Sequence, residues 1–346
     1  MRQLAKYAFA NAKIRAMRSY LLEPATFSAL LEAADCFECI EILKKTPYQG
    51  LFSSSNDPGN NLQELEKKFV KYDLEIFHKV AGTLSSKAEQ EFVALLCQWY
   101  EIEELKVILR IWHHKLPVDW QDHIVPGRIA YEIDFAKLVA AQHIEEFILL
   151  LDHTPYKQPL LRARQVYKEH NSSFYLEAAL DVDYYGRLIS CIDRFSSVDQ
   201  KVARKILGIE VDIENINWLI RLRKYYSLGI GEMLEWFIPG GQWIHKDEVR
   251  KYYTSDGLAK VVESVSLGPY AGIKELAQDN VLLIENFLYE ILLSEVKSAL
   301  SGFPFTIGTV MGYLVLKQKE TKNIRSLLRA KEYGWHKEEI MPLLSL

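Results

Sequence analysis

Thr26-Phe-Ser-Ala-Leu-Leu-Glu-Ala-Ala-Asp-Cys-Phe-Glu-Cys-Ile-Glu-Ile-Leu-Lys-Lys-Thr-Pro-Tyr48 aligns without a gap on Asp134-Phe-Ala-Lys-Leu-Val-Ala-Ala-Gln-His-Ile-Glu-Glu-Phe-Ile-Leu-Leu-Leu-Asp-His-Thr-Pro-Tyr156, a shift of 108. Nine of the 23 positions are identical, among them Phe27/Phe135, Leu30/Leu138, Ala33/Ala141, Glu38/Glu146 and the Thr-Pro-Tyr that ends both. Chance would give about one or two, so the stretch reads as an internal duplication. Leu30, Ala33, Ala34, Phe37, Ile40 and Leu43 recur at steps of three and four, which builds one apolar helix face. Alternating runs of strand type are almost absent elsewhere, so the expected fold class is all-α.

A third, fainter copy ends at Gly-Pro269-Tyr270, with Val262 and Val265 at the places of Ile40 and Leu43. Glu104-Leu105-x-x-Ile108-Leu109-Arg110 matches Asn215-Ile216-x-x-Leu219-Ile220-Arg221 and Asn323-Ile324-x-x-Leu327-Leu328-Arg329, the arginines 111 and 108 residues apart. Pro126-Gly127 and Pro239-Gly240 punctuate the joins. The reading is a triplication of a unit of about 110 residues, too long for a solenoid repeat, so each copy is expected to be a small helical domain with its own core. The expected domains are 1–117, 118–236 and 237–346. Copy one is longer after its Pro-Tyr, where Ser53 to Asn61 has the composition of a loop.

Composition bounds the function from outside. The 346 residues are 49% apolar and 25% charged, which is globular rather than disordered. A net charge of −4 lacks the basic excess that sequence-independent nucleic-acid binding requires. A membrane span needs about 20 apolar residues, and the uncharged stretch from Ser298 to Leu316 is polar in its first half and broken by Gly302 and Pro304. Ile307 to Leu316 therefore reads as a buried core helix with Pro304 at its start, and no span is expected. Gly308-x-x-x-Gly312 within it reads as close packing of soluble helices.

Four cysteines are too sparse for a disulfide framework, and no secretory signal precedes them, which points to the cytosol. Cys36-Phe-Glu-Cys39 has half the spacing of a zinc site, but nothing completes it, so two buried structural thiols are expected and no metal. His113-His114 reads as an exposed helix end. Asp181 and Asp183, two apart on a helix, do not share a face. Lys13, Arg15 and Arg18 form a solvated basic face. No nucleophile elbow, phosphate-binding loop or His-Glu-x-x-His is present, so neither catalytic residues nor a cofactor are expected.

Repeated charges are the remaining candidates. Leu74-Glu75, Leu176-Glu177 and Ile284-Glu285 repeat an apolar-Glu-x-x-apolar pattern, and Arg110, Arg221 and Arg329 lie among apolar neighbours. A charge inside an apolar stripe needs a partner. The expected buried pairs are Glu75 with Arg110, Glu177 with Arg221 and Glu285 with Arg329; the alternative is arginines lining a binding surface.

Tyr7-Ala-Phe-Ala-Asn-Ala-Lys-Ile-Arg-Ala-Met-Arg-Ser-Tyr-Leu-Leu22 resembles the opening helix of the C subunit of bacterial and archaeal V-type (A-type) ATPases, related to the d subunit of the vacuolar proton pump. Phe305-Thr-Ile-Gly-Thr-Val-Met-Gly-Tyr-Leu-Val-Leu-Lys-Gln-Lys-Glu-Thr-Lys-Asn-Ile-Arg325 is similar to its C-terminal signature, and Phe237-Ile-Pro-Gly-Gly241 fits as well. The chain departs from the family's pattern at His113-His114 and in the first half of copy three. The resemblance implies a funnel of three helical domains about a pseudo-threefold axis. It implies a single copy in the rotor, at the cytoplasmic face of the membrane, between D- and F-type central-stalk subunits and the proteolipid ring. Such a subunit transmits torque and is not itself an enzyme. A scaffold for soluble partners and an all-α enzyme with a junctional site are the competing readings.

Overall fold

A computed structural model describes residues 2–52, 62–221, 223–224, 230–252, 258–276 and 281–344; the described residues are helical and contain no strand. The loop expected from Ser53 to Asn61 lies outside them. The N-terminal helix α1 (Arg2–Arg18) is followed by the short α2 (Pro24–Glu32) and α3 (Cys36–Leu43), then by the long α4 (Leu62–Ala81) and α5 (Lys87–His114). Next come α6 (Phe135–Ala140), α7 (Ile144–Leu149) and α8 (Lys157–His170), leading to α9 (Phe174–Ile192) and α10 (Ser197–Arg221). Then α11 (Ile230–Glu235), α12 (Lys246–Tyr252) and α13 (Leu258–Val265) lead to α14 (Val281–Ser301) and α15 (Ile307–Glu332), with α16 (Lys337–Ile340) near the C-terminus.

The residues shared by the two aligned stretches have local work to do. Asp35 caps α3 by accepting from Glu38 N at 2.9 Å, while the Glu38 carboxylate accepts from Ala34 N at 2.6 Å. At the start of α7, His143 Nδ1 accepts from Glu146 N at 3.2 Å, and Glu146 accepts from Gln142 N at 2.7 Å. Each identical glutamate thus closes a reciprocal cap that satisfies two otherwise orphaned amides. Thr46 donates to Leu43 O and accepts from Tyr48 N; Thr154 does the same between Leu151 and Tyr156. These bonds turn the chain out of the short helix and aim the tyrosine inward. At the joins, Gly127 has φ +115° and Gly240 φ +94°, a backbone region that favours glycine.

The six long helices form a closed circuit: α4 packs on α5, α5 on α9, α9 on α10, α10 on α14, α14 on α15, and α15 back on α4. The buried apolar residues of that circuit, from Phe77 and Leu105 through Leu188 and Leu219 to Leu288 and Leu314, form one continuous cluster. A smaller cluster joins Leu30, Ile40 and Leu43 to Ile324, Leu327 and Leu328, so the first short helices pack on the last long one. The expectation of a separate core for each copy therefore does not hold. Each short-helix segment is too small to bury its apolar face alone, and it covers that face with a long helix from another part of the chain.

One end of the circuit is gathered by α1. Lys6 bonds Glu89 in the first turn of α5 and, at 3.1 Å, Asp199 in the first turn of α10. The second oxygen of Asp199 accepts from Ile307 N, the first residue of α15, at 2.9 Å. Burial opposes the Lys6 charge, but Glu89 and Asp199 outweigh it and raise its pKa. At the start of α15, Thr306 rather than Pro304 supplies the N-cap, accepting from Gly308 N at 3.2 Å. Gly308 and Gly312 are sites of close approach: a Cβ on Gly308 would overlap Val202 Cγ1 of α10, and one on Gly312 would stand 2.9 Å from Leu300 Cγ of α14. No helix among the described residues is long and apolar enough to cross a membrane.

Candidate functional site: anchored junctions around a cavity

Three acids, one on each of α5, α10 and α15, hold the junctions. Glu101 accepts from the amides of Ala130 and Tyr131 at 2.7 and 2.9 Å and from the Tyr156 hydroxyl at 2.7 Å. Asp212 accepts from the amides of Trp243 and Ile244 at 2.8 and 3.0 Å and from the Tyr270 hydroxyl at 2.9 Å. Glu320 accepts from Leu22 N at 2.5 Å and from the Tyr48 hydroxyl at 2.6 Å. It is also bonded by Lys317 at 2.9 Å, whose ammonium lies 4.2 Å from the Tyr48 ring centre. Each Pro-Tyr tyrosine is therefore bonded to a long helix of another segment. Tyr48, near the N-terminus, is bonded to the last long helix. Burial pushes the Asp212 carboxyl up to about 6, because its three donors offset only part of the lost hydration.

One turn further along, Glu104 accepts from Val125 N at 2.7 Å, and Asn215 bonds both N and O of Ile238 at 2.8 Å. Val125 and Ile238 each precede the proline of a join. The Glu/Asn position of the repeated motif thus fixes the entry to the next segment. Buried with few donors, Glu104 is pushed up to about 7.

The six residues expected to form ion pairs are partnered differently. Arg110 bonds Glu177 at 3.0 Å, Arg221 bonds Glu285, and Arg329 bonds Glu66. Each arginine meets the acid of the next segment, not its own, because the helix carrying it packs against that neighbour. Glu75 has no part in this. It lies 3.7 Å from Lys79 on its own helix, beside a surface groove with Lys71 and Tyr72. In copy one the apolar-Glu-x-x-apolar pattern that meets an arginine is Leu65-Glu66, nine residues before the expected Leu74-Glu75. The pairs are also not buried: the arginine side chains are 45%, 54% and 54% exposed. The buried cation on α5 is Lys106, 2.9 Å from both oxygens of Asp181 and also paired with Glu103. Burial alone would discharge Lys106, but the two acids hold it protonated.

The other singled-out residues fall out simply. Asp181 points to Lys106, whereas Asp183 bonds Arg187 and Arg162, so the two share no partner. His113 is half-buried at the end of α5, its Nδ1 3.1 Å from the Tyr167 hydroxyl, while His114 is exposed. Cys39 is buried and Cys36 only half-buried; all four cysteines are free thiols. Among the described residues no group of three or more His, Cys, Asp or Glu is placed to hold a metal ion.

Between α5, α9, α10, α14 and α15 lies a cavity of about 410 Å³. Trp99, Tyr184, Tyr185, Tyr289, Met311 and Leu314 are among its apolar and aromatic walls. Glu210, Glu214 and Asn217 face it from α10, and Lys322 and Arg325 from α15. Burial first, and then Glu214 one turn away, pushes Glu210 up to about 8. Sequence reading missed Glu101, Asp212 and Glu320, although they stand a constant nine residues before Arg110, Arg221 and Arg329. Of the acids lining the cavity it singled out Glu285 but not Glu210 and Glu214.

Fold and site together define an all-helical protein organised around junctions between its segments, with a central cavity. A model of the ATP synthase (C/AC39) subunit family matches residues 10–343, and the chain belongs to that family. It is 27% identical to the C subunit of the A-type ATP synthase of Archaeoglobus fulgidus, over 97% of this chain and 95% of that one. It is 24% identical to its counterpart from Methanosarcina acetivorans (95% and 89% covered) and 21% identical to that of Pyrococcus abyssi (98% and 90%).

Proposed function

We propose that this chain is a non-catalytic rotor subunit of a V-type/A-type ATPase: a socket that joins the central stalk to the membrane proteolipid ring and transmits torque between ATP turnover and ion movement. It sits at the cytoplasmic face, in one copy, with D- and F-type stalk subunits on one side and the ring on the other. The observation that carries the reading is the closed circuit of long helices, sealed where Glu320 of α15 holds Leu22 and Tyr48. A coupling under torsion fails by shear between its parts. A circuit with no free edge resists that, and so do junctions made of an acid with several donors. Hydrogen bonds to a charged group contribute about 1.5–3 kcal/mol each.

The same reading takes the chain as three copies, 1–117, 118–236 and 237–346. Its support is the equal placement of Glu101, Asp212 and Glu320, each receiving the Pro-Tyr tyrosine of the next copy, the third closing onto the first.

The test is affinity purification of the tagged chain from detergent-solubilised native membranes, with the co-eluting proteins identified and counted. Recovery of a proteolipid and stalk subunits with one copy of the chain per assembly is expected. Elution with soluble partners only would replace the rotor reading with a scaffold.

A further inference from the structure

We propose that the outer face of α1 binds the surface of a bilayer containing anionic phospholipid, with Phe9 entering among the headgroups and Lys13 and Arg15 meeting their phosphates. This goes beyond the socket reading, which requires contact with a protein ring and none with lipid.

Helix α1 is an element that the repeats leave unexplained. The second of the expected copies has only the 3-10 turn Trp120–His123 ahead of α6. One stripe of α1, Tyr7, Ala10 and Ile14, is buried, and the helix packs on α15. The opposite side carries a different pattern. At about 100° per residue, Ala5, Ala8, Phe9, Ala12 and Ala16 fall within an arc of about 100°, and all five are exposed. Phe9 is 60% exposed. Lys13 stands on one edge of this strip and Arg15 on the other, both exposed. Neither makes an ion pair among the described residues, and Lys13 Nζ lies 5.9 Å from the Phe9 ring centre. Tyr20, two residues beyond the helix, is exposed as well.

Charge selects the occupant. Helix α1 holds five cations, Arg2, Lys6, Lys13, Arg15 and Arg18, and no acid, in a chain whose net charge is −4. Lys6 is engaged by Glu89 and Asp199, whereas Lys13 and Arg15 are left to an anionic partner. Relief selects it further. Four alanines around one phenylalanine offer a protein partner a single anchor and no pocket, while a fluid headgroup layer closes around any shape. An apolar strip with one inserted aromatic, flanked by cations whose aliphatic stems lie along it, is the pattern of a helix lying in the membrane interface. A strip made mostly of alanine buries too little to hold by itself, so the binding requires anionic lipid.

The experiment is flotation of the intact chain with vesicles of phosphatidylcholine alone, or of phosphatidylcholine with phosphatidylglycerol, at low and at high salt. Flotation with the anionic vesicles only, reversed by salt, is expected. Lys13→Ala/Arg15→Ala is expected to lower the partition by at least about tenfold. Phe9→Ser keeps every charge and is expected to lower it several-fold, which a purely electrostatic attraction would not show. Lys45→Ala/Lys79→Ala removes the same charge elsewhere on the surface and is expected to leave flotation unchanged. All these side chains except the half-masked Phe9 ring reach water freely, and helical circular dichroism confirms that each variant is folded. Equal flotation with both vesicle types, or α1 variants that float like the wild type, would overturn the proposal. Flotation with neither, by a chain that still co-purifies with the proteolipid, would give the face to a protein partner and leave the socket reading standing.

Discussion

The Tyr156 hydroxyl donates to Glu101 at 2.7 Å across 55 positions of chain, and the other oxygen of that carboxylate holds the amides of Ala130 and Tyr131. The arrangement makes the two partners unequal. Tyr156→Phe removes one donor from an acid that keeps two, and a loss of about 1–2 kcal/mol is expected. Glu101→Ala strands three donors at once, one buried and two half-buried, and is expected to cost about 3–5 kcal/mol. Urea unfolding followed by helical circular dichroism separates the two. A Glu101→Ala protein within about 1 kcal/mol of the wild type would mean that water replaces the carboxylate and that the junction is not held by it.

The arginine pairs are expected to behave in the opposite way. Arg110→Ala, Arg221→Ala and Arg329→Ala each remove a half-exposed charge from a partner that water can reach, so each is expected to cost under about 1 kcal/mol. Lys106→Ala leaves Asp181, and with it Glu103, without a buried cation and is expected to cost about 3–5 kcal/mol. The same unfolding measurement ranks the four variants. An arginine variant as damaging as Lys106→Ala would show that the exposed pairs are coupled rather than independent.

The helical class is legible in the sequence because Leu30, Ile40 and Leu43 keep a clear period of three and four. The Thr-Pro-Tyr endings are legible as a repeat because an identical local turn requires identical residues. Partnership across the molecule is not legible. Spacing along one helix says which residues share a face, but not which segment covers that face. Spacing alone therefore pairs Arg110 with Glu75 of its own segment, whereas the helix that packs on it carries Glu177. Matching Glu75 also made copy one look longer than it is: Glu66 lies 18 residues after Tyr48, between the 21 from Tyr156 to Glu177 and the 15 from Tyr270 to Glu285. Glu210 and Glu214 are invisible for a different reason: on paper they are two acids on an amphipathic helix, and only the closure of the circuit sets them, half-buried, in the wall of a cavity.

Gly308 offers a test of how tightly the circuit is closed. Alanine is the better helix former by about 1 kcal/mol, so Gly308→Ala would stabilise an exposed helix. Here the added methyl meets Val202 of α10, and overpacking of that kind costs about 1–3 kcal/mol. A net loss is therefore expected, and Val202→Ala in the same chain is expected to recover most of it. A double-mutant cycle on melting temperature reads the coupling. A stabilised Gly308→Ala single variant would show that α10 and α15 can part without penalty.

Glu210 sets a pH dependence whose sign can be worked out. In the unfolded chain its carboxyl ionises near its ordinary value of 4.5, whereas in the folded chain it keeps its proton until about pH 8. Between those values the folded state binds a proton that the unfolded state has released, so stability falls as pH rises through the window and levels off above about 8. Asp73 and Asp212, both pushed up to about 6 by burial, add to the lower part of the same slope. Glu210→Gln carries no titrating group at this position. It is expected to match the wild type near the acid end of the window and to be more stable by about 1–3 kcal/mol above about pH 8. Thermal unfolding of both proteins across the range reads the difference. Parallel curves would mean that Glu210 reaches enough water in the cavity to ionise freely, and would remove burial as the cause of its raised pKa.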